Sequence, residues 1–162
     1  MLPELWRKKI IEPLNGFLRQ GLSAKKLTLC LALGITIGTF PVLGMTTILC
    51  TLAALIFKLN MPVIQFANYL VYPLQIVLLV PFYYLGDLFF NAHKSVDIDT
   101  LRTMLIEGTN KEMIMKLLDS TLYAVGAWLL ISPLVLALLY KGLKPIMVRL
   151  SLTSPRLKFL RR

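Results

Sequence analysis

The sequence predicts an all-α membrane protein, with broken or re-entrant hydrophobic helices, one C-terminal transmembrane helix and interfacial amphipathic helices. Three observations carry this reading. Residues 27–57 and 59–86 are uncharged, strongly apolar runs separated by Lys58 alone. Both exceed the roughly 20 residues of one straight crossing, fall short of two complete ones, and contain proline and glycine near the middle. A third uncharged run, residues 120–140, has the length of a single span.

Composition agrees. Of 162 residues, 57% are hydrophobic and 16% charged, outside the soluble globular range and too few for more than one small domain. The net charge of +10 is unevenly placed. Residues 1–26 carry six Lys/Arg against two acids, residues 141–162 seven against none, and residues 87–119 four against six. Basic ends flanking apolar spans follow the positive-inside bias and the pull of anionic lipid headgroups, so membrane lipids are the expected partners and nucleic acid is not.

Residues 1–26 form an interfacial amphipathic region. Leu5, Trp6, Ile10, Ile11, Leu14, Phe17, Leu18 and Leu22 recur at spacings near three and four among Arg7, Lys8, Lys9, Arg19, Lys25 and Lys26. Pro13 and then Asn15-Gly16 should divide this region in two, and Ser23 is placed to cap the next helix. No small-residue cleavage site follows an apolar core here, so the N-terminus is expected to be retained.

Residues 27–86 contain two Pro/Gly-interrupted hydrophobic segments. In the first, Gly38-Thr39-Phe40-Pro41-Val42-Leu43-Gly44 interrupts the helix, because Pro41 lacks a backbone donor and the flanking glycines free the chain. The second opens at Asn60-Met61-Pro62, places Gln65, Asn68 and Tyr72 on one helical face, and is expected to break at Pro73, just before Gln75. Paired interrupted segments are the sequence sign of discontinuous helices around a midplane site. Residues 87–119 read as a polar and amphipathic connection, 120–140 as the transmembrane helix with a kink at Ser132-Pro133, and 141–162 as a basic tail. If both basic ends are cytoplasmic, the crossings must be even in number. Either one long run is re-entrant, or the last segment turns back at Pro133.

Gly38-Thr39-Phe40-Pro41-Val42-Leu43-Gly44-Met45-Thr46-Thr47, then Lys58-Leu59-Asn60, Asn68 through Pro73-Leu74-Gln75, and Leu85-Gly86 carry a resemblance. The segment from about residue 12 to residue 90 resembles a family of small prokaryotic membrane domains catalogued as a domain of unknown function. It departs from that family's pattern at Tyr72, where asparagine is favoured. The resemblance implies a bacterial or archaeal inner-membrane protein. Some relatives are fused to glycosyltransferase-like domains, which implies envelope or glycolipid metabolism.

The candidate substrate-binding residues are Thr39, Pro41, Gly44, Thr46, Thr47, Asn68 and Gln75. A half-helix starting after Gly44 would aim free N–H groups and two hydroxyls into the membrane, an arrangement suited to an anionic headgroup or small solute. The competing reading is a proline kink patched by neighbouring helices. For Gln65, Asn68, Tyr72 and Gln75 the alternatives are a polar cavity lining and interhelical hydrogen bonds. Gly34 and Gly38 fit close helix packing. His93 with Asp87, Asn91, Asp97 and Asp99 is the one cluster resembling a metal or acid/base centre, and its polar setting favours plain solvation. Cys30 and Cys50 lack metal-ligand spacing. No phosphate loop, zinc pair or nucleophile elbow is present, so neither cofactor, metal nor catalytic residue is expected. Two functions lead: a transporter-like or lipid-handling protein, expected as a homo-oligomer, and a non-catalytic partner or scaffold for an envelope glycosyltransferase or related enzyme; an intramembrane enzyme using His93, Asp97 and Asp99 ranks third.

Overall fold

The computed structural model describes residues 12–19, 22–90 and 111–153. These form α1 (Glu12–Arg19), α2 (Ala24–Gly38), α3 (Met45–Ile56), α4 (Met61–Phe90) and α5 (Lys111–Thr153). Every described element is a helix.

Local chemistry sets the boundaries. Ser23 caps α2 as expected: its Oγ accepts from the Lys26 N–H at 3.4 Å. α2 ends at Gly38, and Gly44, with φ +84°, precedes α3. The end of α3 is a Schellman closure, in which the Lys58 N–H donates to the Leu55 carbonyl at 3.4 Å and the Leu59 N–H to the Ala54 carbonyl at 2.8 Å. Lys58 occupies the left-handed position of that motif, φ +49°, where glycine is usual. Two residues on, Asn60 Oδ1 accepts from the Val63 N–H at 3.2 Å and starts α4. Lys58 thus stands in a tight reversal between α3 and α4.

The break at Pro41 is present; the one expected at Pro73 is not. α4 runs unbroken through Pro73 and Pro81. Pro41 is flanked within three residues by Gly38 and Gly44, and Gly44 takes the left-handed conformation that ends helical geometry. Pro73 sits between Tyr72 and Leu74 with no glycine nearby, and all three are exposed, so the ring meets no neighbouring helix. Only its own missing N–H disturbs the ladder. The pairing of two interrupted segments is therefore replaced by one hairpin and one long helix. Likewise α5 continues through Pro133 and Pro145, so no reversal occurs at Pro133. Near the start, α1 takes Pro13 into its first turn and passes through Asn15-Gly16, where a division was expected.

Packing fixes the direction of each helix. Leu14 of α1, Leu27, Cys30 and Leu31 of α2, Val63 and Ala67 of α4 and Met147 of α5 form one buried cluster. The starts of α2 and α4 therefore meet the C-terminal part of α5. Cys50, Ala53 and Ala54 of α3 pack on Ile64 of α4 in a second cluster. Far from both, Phe82 of α4 packs with Ala124 and Trp128 of α5, and Phe90 lies 5.6 Å from Tyr123 between ring centroids. α4 and α5 are thus antiparallel.

At 30 and 43 residues, α4 and α5 extend about 45 and 65 Å at 1.5 Å per residue. Residues 61–90 and 114–151 each satisfy the length and apolarity of a membrane span. Only 33% and 17% of their most apolar windows are buried, which is unlike the core helix of a soluble domain. Leu55, Val77, Val80, Tyr84, Leu130 and Leu134 all lie at least 64% exposed on the outer faces. α2 and α3, at 15 and 12 residues, are about 22 and 18 Å long, too short to span a hydrocarbon core of roughly 30 Å.

Candidate functional site

Residues 39–44 form the tip of the α2–α3 hairpin. Pro41 is among the fully buried side chains, and Thr39 is buried beside it. The Gln75 Nε2 donates to the carbonyls of Phe40 at 2.9 Å and Val42 at 3.5 Å. On the other side, the Trp128 Nε1 donates to Thr39 Oγ1 at 3.3 Å, and the Trp128 ring meets Phe40 edge-on at 5.1 Å. The Thr39 hydroxyl in turn donates a hydrogen bond to the Thr36 carbonyl at 2.8 Å. Gln75 is midway along α4 and Trp128 lies in the middle of the apolar part of α5. The tip is therefore held at mid-length of both long helices, by polar groups bonding to backbone carbonyls and a hydroxyl that helix termination left available.

A second polar set holds α3 to α4. The Gln65 Nε2 donates to the Thr47 carbonyl and to Thr51 Oγ1, both at 3.0 Å, while the Asn68 Nδ2 donates to Gln65 Oε1 at 3.3 Å. Of the two alternatives for these side chains, hydrogen bonds between elements are made by Gln65 and Gln75; Asn68 bonds within α4 to Gln65, and Tyr72 points outward, 48% exposed. Thr46 is buried in the first turn of α3, whereas Thr47 engages through its carbonyl.

Gly34 and Gly38 lie in the α2–α4 contact. A Cβ on Gly34 would meet the Ile64 carbonyl oxygen at 2.5 Å, and one on Gly38 would meet Asn68 Oδ1 at 3.2 Å. Gly86 plays the same part between α4 and α5, where a Cβ would come within 2.6 Å of the Tyr123 backbone.

Two features are left open. Gly44 supplies no side-chain cap to the first turn of α3. Gln75 Oε1 is buried without a hydrogen-bond partner, on a side chain only 1% exposed.

Trp128 was not legible as a site residue, although a signal existed: tryptophan favours the membrane interface, and one in mid-span calls for a polar partner. Of the acidic and histidine cluster, Asn91, His93, Asp97 and Asp99 lie outside the described residues, and Asp87 is half-buried near the end of α4. The described residues hold no group of three or more metal-type side chains.

The fold and this site define a helical protein with two helices long and apolar enough to cross a membrane, and a short hairpin lodged against their middles. Residues 8–154 match the family described as an uncharacterized protein conserved in bacteria (DUF2062), and the chain belongs to that family. No curated protein and no solved structure matches it.

Proposed function

We propose that this is a bacterial inner-membrane protein in which α4 and α5 cross the bilayer. The α2–α3 hairpin dips in from the cytoplasmic leaflet and returns, to handle an anionic headgroup or a small anionic solute at its tip. The observation that carries this reading is the position of the tip, between Gln75 and Trp128 at mid-length of both long helices. Both hairpin ends lie at the basic end of the bundle, where Lys25 and Lys26 open α2, Lys58 closes α3, and Lys141, Lys144 and Arg149 lie on the part of α5 that reaches Leu27. By the positive-inside rule that end is cytoplasmic, and two crossings return the chain to the same side. Irregular backbone at membrane depth is tolerated only against protein or a wet cavity, and a tip beside which Gln75 Oε1 is buried without a partner fits a pathway or binding site.

The test is transport of a fluorescent anionic phospholipid and of small anions in proteoliposomes. The wild type should outpace protein-free vesicles, and the double variant Thr46→Val, Thr47→Val should fall to the protein-free rate while inserting normally. Equal rates for wild type, variant and empty vesicles would sink the reading.

A further inference from the structure

The base of the hairpin gathers lysines from three parts of the chain around one buried cluster. Lys26 of α2 precedes Leu27, Lys58 of the turn between α3 and α4 precedes Leu59, and Lys144 of α5 follows Leu143. All three leucines belong to the cluster that joins α1, α2, α4 and α5, or pack against it. Each lysine is exposed, and none meets a carboxylate among the described residues. Glu12, which opens α1, is the one carboxylate described at this end, against Lys25, Lys26, Lys58, Lys141 and Lys144. Packed helices lie about 8–10 Å apart, so three ammonium groups on flexible four-carbon stems can converge on one ligand.

Lys58 is the informative member. It holds the left-handed position of the Schellman closure, φ +49°, where a Cβ strains against the following carbonyl and glycine is free of that strain. The closure itself needs only backbone, since the N–H groups of Lys58 and Leu59 serve the carbonyls of Leu55 and Ala54. A basic face that is merely solvated is satisfied by charge anywhere on the exposed turn, and Phe57 beside it is exposed as well. The ammonium at position 58 is therefore held against a backbone preference, which points to a role outside the folding of the chain.

Depth indicates the partner. With the tip at the bilayer midplane, α2 and α3 rise from it by about 22 and 18 Å, beyond the roughly 15 Å half-thickness of the hydrocarbon. Lys26 and Lys58 then stand in the headgroup layer, level with lipid phosphates. We propose that Lys26, Lys58 and Lys144 bind the headgroup of a phospholipid of the cytoplasmic leaflet that carries two phosphates. A single phosphodiester leaves two of the three ammonium charges unmatched, whereas two phosphates joined by a short linker match the cluster in charge and in its spread over three elements. This rests on the re-entrant reading above and adds a lipid contact separate from the hairpin tip.

The experiment uses the full chain purified from vesicles containing phosphatidylglycerol and diphosphatidylglycerol in equal amounts of phosphate, with retained lipid measured by native mass spectrometry. The wild type should retain diphosphatidylglycerol over phosphatidylglycerol by about fivefold or more per phosphate, the ratio expected for one additional charge at a headgroup surface. The two lipids also differ in chain number, so the lysine variants decide. The double variant Lys26→Gln, Lys58→Gln should bring the ratio close to one. Lys111→Gln with Lys116→Gln, which removes the same charge from the far end of the bundle, should leave it intact. Lys58→Gly separates the site from the fold: it should melt no lower than the wild type in lipid-free detergent, yet retain less diphosphatidylglycerol. A lower melting temperature for Lys58→Gly would show that the lysine serves the fold and overturn the assignment. So would equal retention of the two lipids by the wild type, or a preference that survives the loss of Lys26 and Lys58. The re-entrant reading fails separately, on labelling of position 58 from outside intact cells.

Discussion

Gly34 of α2 lies so close to Ile64 of α4 that an added Cβ would stand 2.5 Å from the Ile64 carbonyl oxygen and 2.6 Å from the Ala67 Cβ. The first atom belongs to helix backbone and has no rotamer to escape into, so the helices must separate to admit a methyl group. Gly34→Ala should therefore destabilise the protein by about 1–3 kcal/mol, the usual cost of overpacking. At Gly38 the nearest atom is the Asn68 Oδ1 at 3.2 Å, a side chain able to shift, and Gly38→Ala should cost less. Gly142, with nothing within 4 Å, should gain about 0.5–1 kcal/mol on Gly142→Ala from helix propensity. Thermal unfolding of the three variants in one detergent checks the order Gly142→Ala above wild type, then Gly38→Ala, then Gly34→Ala.

Gln65 is the main polar tie between α3 and α4. Gln65→Leu removes its bonds to Thr47 and Thr51 and leaves Asn68 without its partner, so about 1–3 kcal/mol of the α3 attachment should be lost. Cys50 reports on that attachment, being fully buried on α3 against Ile64. A membrane-permeant maleimide should label Cys50 about tenfold faster or more in Gln65→Leu than in the wild type, in proportion to the local opening. An unchanged rate would show that the small-residue packing of Cys50, Ala53 and Ala54 holds α3 without help.

Trp128 does two things at the hairpin tip, and they are separable. Trp128→Phe keeps a ring near Phe40 but loses the bond to Thr39 Oγ1, and should cost about 1 kcal/mol. Trp128→Ala also removes the edge-to-face contact and opens a cavity beside Ala124 and Phe82, for about 3–5 kcal/mol. Chemical denaturation of both variants gives the two values, and equal losses would mean that the hydrogen bond carries the whole effect.

Legibility in the sequence differed from element to element for physical reasons. The caps at Ser23 and Asn60 and the break at Pro41 depend on residues close in the chain, and local chemistry was enough to find them. Pro73 misled because proline in an apolar helix has two outcomes, and what decides between them is whether glycines flank it and what its ring meets. Gln65 and Gln75 were visible as polar groups in an apolar run, but their partners on α3 and the tip were not. Trp128 lies 89 residues from Thr39, and no periodicity joins them. Gly34 and Gly38 were readable as packing residues from their spacing; Gly86, alone on its face of α4, required the neighbouring helix.

On the proposed membrane reading, the side on which Lys58 lies distinguishes a re-entrant hairpin from a crossing. Leu59, next in the chain, packs against the cluster containing Leu27 and Cys30, and Lys26 begins one residue before Leu27. Lys58 and Lys25 therefore share one end of the bundle, while Lys111 starts α5 at the far end, beyond the contact of Gly86 with Tyr123. Single cysteines at Lys25, Lys58 and Lys111, each exposed, would be introduced with Cys30→Ala and Cys50→Ala to remove the native thiols. A membrane-impermeant maleimide added to intact cells should leave Lys25→Cys and Lys58→Cys unlabelled and modify Lys111→Cys, with the first two reacting only after lysis. Labelling of Lys58→Cys from outside while Lys25→Cys stays protected would mean that residues 27–57 cross as a kinked helix. In that case the hairpin tip would not be approached from the cytoplasmic leaflet, and the chain would cross the membrane an odd number of times with its basic C-terminal helix outside.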